Sequence, residues 1–220
     1  MLYTTEHIII EIISAIACFI LVRFMIKPYQ LTGKTQYLGL PIGFGFLGVS
    51  YTVSTIVYSF FNFPELGWVQ LFVRGFAFLV LAITYFFSKA EKNARLLWKI
   101  ILALLAIIFV VMTLLVTVVS PQVSLEDYRL SYFVIRTFSL FSLGYIIIHT
   151  LRNNRTDAKT VASSLGFVLL AIEQYSQLIW VVDASYFALF GGLTFRLGSL
   201  AVFLYITYKA LYGKRDDQNN

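Results

Sequence analysis

The 220-residue chain is 59% hydrophobic and 13% charged, with a mean hydropathy of +0.81. An ordinary soluble surface needs roughly a quarter of residues charged, so a soluble globular protein is excluded. The formal net charge of +6 sits at the ends of apolar runs, as membrane topology requires, which argues against a nucleic-acid partner.

Seven apolar segments of spanning length follow one another, at 6–26, 38–63, 67–88, 98–120, 128–150, 160–183 and 185–211. Each suits a tilted helix of about 20 residues crossing a hydrocarbon core of about 30 Å. The connections are short, so residues 1–220 are expected to form one membrane domain, an all-α bundle of seven transmembrane helices. In the first segment, Met1 to Thr5 lacks a basic region, and Glu6, His7 and Glu11 interrupt the apolar run. It reads as a retained span and not as a signal peptide. Ala15 to Cys18 resembles a lipoprotein cleavage box but lacks the flanking basic residues. Cys18 is the sole cysteine, which excludes an intrachain disulfide and suits a small packing residue.

His7, Glu11, Ser14 and Cys18 recur at steps of four, three and four, which is one helix face. In the second segment Tyr51, Ser54, Thr55 and Tyr58 fall together. Its Gly43, Gly45 and Gly48 spell GxGxxG, but inside a membrane span with no preceding strand, so a dinucleotide site is rejected. Gly39, Gly43 and Gly48 instead predict close approach of a neighbouring helix. The third segment places Gln70 and Arg74 one turn apart. The fourth carries only Thr113 and Thr117 as polar residues between Ile100 and Val119, which predicts a lipid-facing or partner-facing helix. The fifth brings Arg129, Tyr132 and Arg136 to one side, and His149 near its other end is expected to pack at the boundary. The sequon at Asn154 falls in an inner loop and is expected to stay unglycosylated. The sixth and seventh form a hairpin turning near Asp183 to Tyr186, with Glu173 and Gln177 on one arm and Gly192, Arg196 and Ser199 on the other.

Orientation follows from the 17 lysines and arginines. Arg23, Lys27, Lys34, Lys89, Lys92, Arg95, Lys99, Arg152, Arg155, Lys159, Lys209, Lys214 and Arg215 fall on one side. Arg74, Arg129, Arg136 and Arg196 lie in or near the opposite half. By the positive-inside rule the N-terminus is outside and the C-terminus inside, in the cell membrane. Trp68, Trp98 and Trp180 sit near predicted boundaries, as an aromatic belt does.

By helical rise, Glu11, Arg74, Arg136, Glu173 and Arg196 then share one slab roughly 9 to 16 Å below the outer face. Ionisable groups at that depth are costly and face a partner or a wet cavity. Tyr51, Thr55, Tyr58, Gln70, Gln177, Tyr132 and Ser199 are expected to support them. The inner halves are apolar, which predicts a polar cup above a hydrophobic plug. Three arginines against two glutamates leave an excess of +1, which an anionic or zwitterionic ligand could balance. The alternative is that the charges only fix helix packing.

A retinal pigment is excluded, because the middle of the last span holds Arg196 where a Schiff-base lysine is needed. Glu126 to Leu130 reads EDYRL, a superficial likeness to G-protein-coupled receptors, but on the wrong helix and the outer side. Two histidines at opposite faces supply neither a hydrolase dyad nor a metal site, so an enzyme is not expected, nor a cofactor. The expected function is a receptor-like or sensory protein binding a small anion from outside. A signal is expected to need a separate protein partner, since no kinase or cyclase accompanies the helices. The alternatives are an assembly subunit of a membrane complex and a small transporter or channel; the apolar inner halves and odd helix count weigh against transport.

Overall fold

The computed structural model describes residues 2–32, 35–60, 64–87, 125–153, 158–183 and 185–212, with isolated positions between 100 and 114. The helices are α1 (Leu2–Met25), α2 (Lys27–Thr32), α3 (Gly39–Phe60), α4 (Pro64–Phe87), α5 (Leu125–Asn153), α6 (Ala158–Asp183) and α7 (Tyr186–Tyr212), with a 3-10 turn at Thr35–Leu38 before α3. Among the described residues six helices are long and apolar enough to cross a membrane. The span predicted at 98–120 falls outside the described residues, except for those isolated positions, which are helical.

Local chemistry sets the breaks. Pro28 has no amide hydrogen to give the preceding turn, so α1 passes into the short α2 at Ile26. Bonds from Ile26 N to Val22 O (3.0 Å) and Gln30 N to Ile26 O (3.1 Å) keep the chain helical on either side. The first apolar helix therefore runs to Thr32, beyond the boundary expected at 26. Pro64 opens α4, where a missing amide costs nothing. Between α6 and α7, Ser185 accepts a bond from Ala188 N at 3.4 Å and caps the last helix.

The helices close a ring in chain order, α1 on α3, α3 on α4, α4 on α5, α5 on α6, α6 on α7 and α7 back on α1. The start of α1, the end of α3, the starts of α4, α5 and α7 and the end of α6 share one end of the bundle, here the near end. At the far end, the side chains of Phe44, Phe167, Phe203 and Tyr85 pack edge to face, with ring centroids 4.8 to 5.4 Å apart. Leu21, Leu47, Phe78, Leu81, Leu143 and Leu170 complete this buried apolar plug. Around the outside, Ile9, Ile13, Ile16 and Ile20 of α1 and Phe133, Phe141 and Ile148 of α5 are exposed. An apolar exterior of that kind suits lipid as its solvent.

Candidate functional site: a buried charge cluster under a polar chamber

Arg196 is the centre of the near half. It lies about ten residues into α7, and Glu173 lies about ten residues back along α6, so antiparallel helices bring them level. Its Nη2 donates to Glu173 Oε1 at 2.9 Å and its Nε to the same oxygen at 3.3 Å. Its Nη1 donates to Glu11 Oε1 at 2.6 Å. One guanidinium thus bridges two carboxylates from α1 and α6, with Nε and Nη2 both on one oxygen of Glu173 and Nη1 on Glu11, a use suited to its planar five-donor fork.

Two further arginines flank this trio. Arg74 Nε donates to Ser50 Oγ at 3.2 Å, and Ser50 in turn donates to the Gln70 carbonyl at 3.2 Å. Arg74 Nη2 stands 3.8 Å from Glu11 Oε2, within ion-pair range but beyond a hydrogen bond. Arg136 Nη1 is similarly placed 3.9 Å from Glu173 Oε1 and donates instead to Gln174 Oε1. Gln174 Nε2 completes the relay by donating to Glu173 Oε2. Tyr51 lies beneath both Arg74 and Arg196, its ring centroid 4.8 and 4.6 Å from their guanidinium carbons. Tyr132 does the same for Arg136 at 4.8 Å and donates to Gln177 Oε1 at 3.1 Å. Such stacking places a cation on the negative face of a ring and offsets part of its lost hydration.

Above the cluster is a cavity of about 560 Å³ at the near end. Its walls include Glu11, Arg74, Arg136, Gln177 and Arg196, with His7, Tyr58, Gln70, Tyr132 and Trp180. Arg129, exposed near the start of α5, adds a fourth arginine. His7 Nε2 meets Glu11 Oε1 at 3.1 Å, and its ring packs against Tyr58 at 4.6 Å.

Most of the residues singled out in the sequence meet here, with two exceptions. Thr55 bonds its own helix, donating to the Tyr51 carbonyl at 3.0 Å. Ser199 donates to the Gly166 carbonyl at 2.7 Å and fastens α7 to α6 away from the chamber. Glu173 is wholly buried behind Arg196 and Gln174 and does not reach the cavity wall. Ser50 and Gln174 were not singled out. Both are polar and fully buried inside apolar spans, and that alone marks a residue for attention, since an uncompensated amide or hydroxyl is expensive there. Of the three tryptophans, Trp68 stacks near the start of α4 on Phe72 and Trp98 is outside the described residues.

The ring of apolar helices around this cluster defines a multi-pass helical membrane protein with a polar chamber at one end. No protein-family model matches the sequence, and neither does any curated protein or solved structure.

Proposed function

We propose that this chain is a seven-helix receptor-like or sensory protein of the cell membrane that takes a small anion into the chamber from outside. The observation that carries the reading is the set of polar atoms left over once the cluster has paired. Six buried polar side-chain atoms have no hydrogen-bond partner among the described residues; Tyr51 Oη and Ser54 Oγ belong to residues away from the cavity, whereas Glu11 Oε2, Arg74 Nη2, Arg136 Nε and Gln177 Nε2 belong to side chains that line it, the first two of them standing 3.8 Å apart as an ion pair. Buried polar atoms in native proteins are nearly always satisfied. Three of these four are donors, and two of the three belong to cations.

The seventh crossing is supported by the direction of the helices on either side of it. Phe87 ends α4 at the far end and Leu125 begins α5 at the near end, so the chain between them has to return along the bundle. The apolar run at 98–120 is long enough to do so inside a membrane. The far end holds Arg23, Lys27, Arg152 and Lys209, which by the positive-inside rule supports a cytoplasmic far end. A ligand that draws Arg74 and Arg136 inward changes the pairing of Glu11 and Glu173. Helices α1, α4, α5 and α6 then shift relative to one another, and a partner at the basic face reads the change.

A packing-only network is the second reading, favoured by the full pairing of Arg196 and Glu173. It gives no reason for an open cavity of about 560 Å³ walled by four arginines. Transport is disfavoured by the aromatic plug between the chamber and the far end. The test is thermal unfolding of purified protein in detergent against a panel of small anions. At about a hundred times its Kd a ligand adds roughly 2.7 kcal/mol to stability, a clear rise in Tm. The rise should shrink in Arg129→Gln, whose exposed side chain contributes charge and not packing. A panel without any shift would remove the ligand reading and leave the packing one.

A further inference from the structure

A second cavity, of about 250 Å³, lies at the far end of the bundle, with the plug rings Phe44, Phe167 and Phe203 as its floor. Its walls come from the ends of the spans. Phe24 and Met25 close α1, Leu40 follows the first residue of α3, and Ala210 ends the apolar span of α7. From Ala210 to Phe203 is seven residues, so the cavity runs about 10 Å inward along α7 by helical rise. It therefore begins where the headgroups of a bilayer meet its hydrocarbon and ends inside the hydrocarbon.

The wall asks for little hydrogen bonding. Thr207 donates to the Phe203 carbonyl of its own helix at 2.7 Å, and the Tyr85 and Ser163 side chains bond each other. Apart from Tyr37 the rest of the lining is apolar. A polar molecule entering here loses hydration without compensation, whereas a hydrocarbon chain does not.

Charge is gathered at the mouth, and it is of one sign. Lys27 Nζ lies 5.5 Å from the ring centroid of Phe24, and that ring is part of the wall. On α7 the exposed Lys209 stands between Thr207 and Ala210, both of the wall. Arg23, exposed one residue before Phe24, adds a third cation. No Asp or Glu occurs in the sequence between Glu11 and Glu65 or between Asp183 and Asp216, so no acid on these two wall segments offsets them. An apolar cavity beneath a basic rim at the membrane boundary is the complement of an amphiphile with a negative head.

We infer that the far-end cavity is a binding site for an anionic phospholipid, with part of one acyl chain against Phe24, Phe44 and Phe203 and the headgroup phosphate at Lys27 and Lys209. The site is separate from the near-end chamber and does not depend on what the chamber binds. The test uses the full chain, purified and stripped of lipid in a neutral detergent. Thermal unfolding is followed with short-chain phosphatidylglycerol and with phosphatidylcholine of the same chains, and retained lipid is counted by native mass spectrometry. Phosphatidylglycerol should act at the lower concentration, by roughly fivefold for each lysine engaged, the usual contribution of a basic residue at an anionic lipid surface. In the double variant Lys27→Gln, Lys209→Gln the two lipids should become equal. Ala210→Trp, which fills the mouth from an exposed position, should weaken both. Arg129→Gln, at the other end of the bundle, should leave the preference unchanged.

Equal action of the two lipids on the wild type would overturn the headgroup assignment, and an undiminished preference in the double lysine variant would do the same. Glycerol phosphate without acyl chains giving the full shift would overturn the part of the cavity. Unaltered lipid binding by Ala210→Trp counts against it as well. A preference lost in Arg129→Gln would move the lipid to the chamber, and no retained lipid with no shift would leave the far-end cavity to a protein partner.

Discussion

Arg196 carries the near half of the bundle because it satisfies two buried carboxylates at once. Removing it leaves Glu11 with His7 and Glu173 with Gln174, and with arginine contacts no closer than 3.8 and 3.9 Å, to Arg74 and Arg136. Arg196→Ala is therefore expected to cost about 3 to 5 kcal/mol, the usual result of breaking a buried pair from one side. Arg196→Lys keeps the charge but loses the fork, so its unfolding midpoint in detergent should fall between those of Arg196→Ala and the wild type. A loss below about 1 kcal/mol for Arg196→Ala would mean that the bridging geometry is not what holds these helices. The charged members of the cluster were legible in the sequence because an ionisable residue deep in an apolar span has few acceptable surroundings. Which charge meets which was not. Depth along a helix gives a common level, but it does not say that both glutamates converge on one arginine and leave Arg74 and Arg136 half-paired. Gln174 shows the same limit: spacing from Glu173 favours Gln177, four residues on, yet it is Gln174 that accepts from Arg136.

At the scale of the element, the glycines of α3 are sorted by what they touch. A side-chain carbon at Gly39 would collide with Thr84, and one at Gly43 would lie 2.5 Å from a methyl of the fully buried Leu81. One at Gly48 would come within 3.2 Å of Cys18 and Phe19. These positions let α3 approach α4 on one side and α1 on the other. Gly45 is different, with nothing nearer than a Val22 methyl at 3.8 Å. Gly43→Ala should therefore destabilise by about 1 to 3 kcal/mol through overpacking. Gly45→Ala should be neutral or slightly stabilising, because alanine is the better helix former. Equal behaviour of the two variants in thermal unfolding would contradict the packing of α3 on α4. The sequence distinguished these glycines by spacing alone, since small residues at steps of four and five fall near one face of a helix. It gave no sign that the face is split between two neighbouring helices, because both seams run down one span and look alike in a pattern of small residues.

For the whole molecule, the decisive relation is between chain direction and the number of crossings. Helix α1 begins at the near end and α7 finishes at the far end. Two chain ends on opposite faces need an odd number of passes, and six described spans make an even one. The seventh crossing proposed above would restore the parity, and between Phe87 and Leu125 the sequence offers the apolar run at 98–120 for it. Because α4 packs directly on α5, the ring closes without that segment, which suits its near-total lack of polar residues. The proposal can be read out by labelling with a membrane-impermeant maleimide in intact cells. Cys18 is the only cysteine and is fully buried, so introduced cysteines report on themselves. Asp183→Cys at the exposed near end should label in intact cells, and Lys209→Cys at the far end only after permeabilisation. Glu126→Cys should behave like the first and Lys92→Cys like the second. If positions 92 and 126 label from the same face, the seventh crossing is lost. If the whole pattern is inverted, the chamber opens to the cytoplasm, and the proposed anion has to be sought on that side.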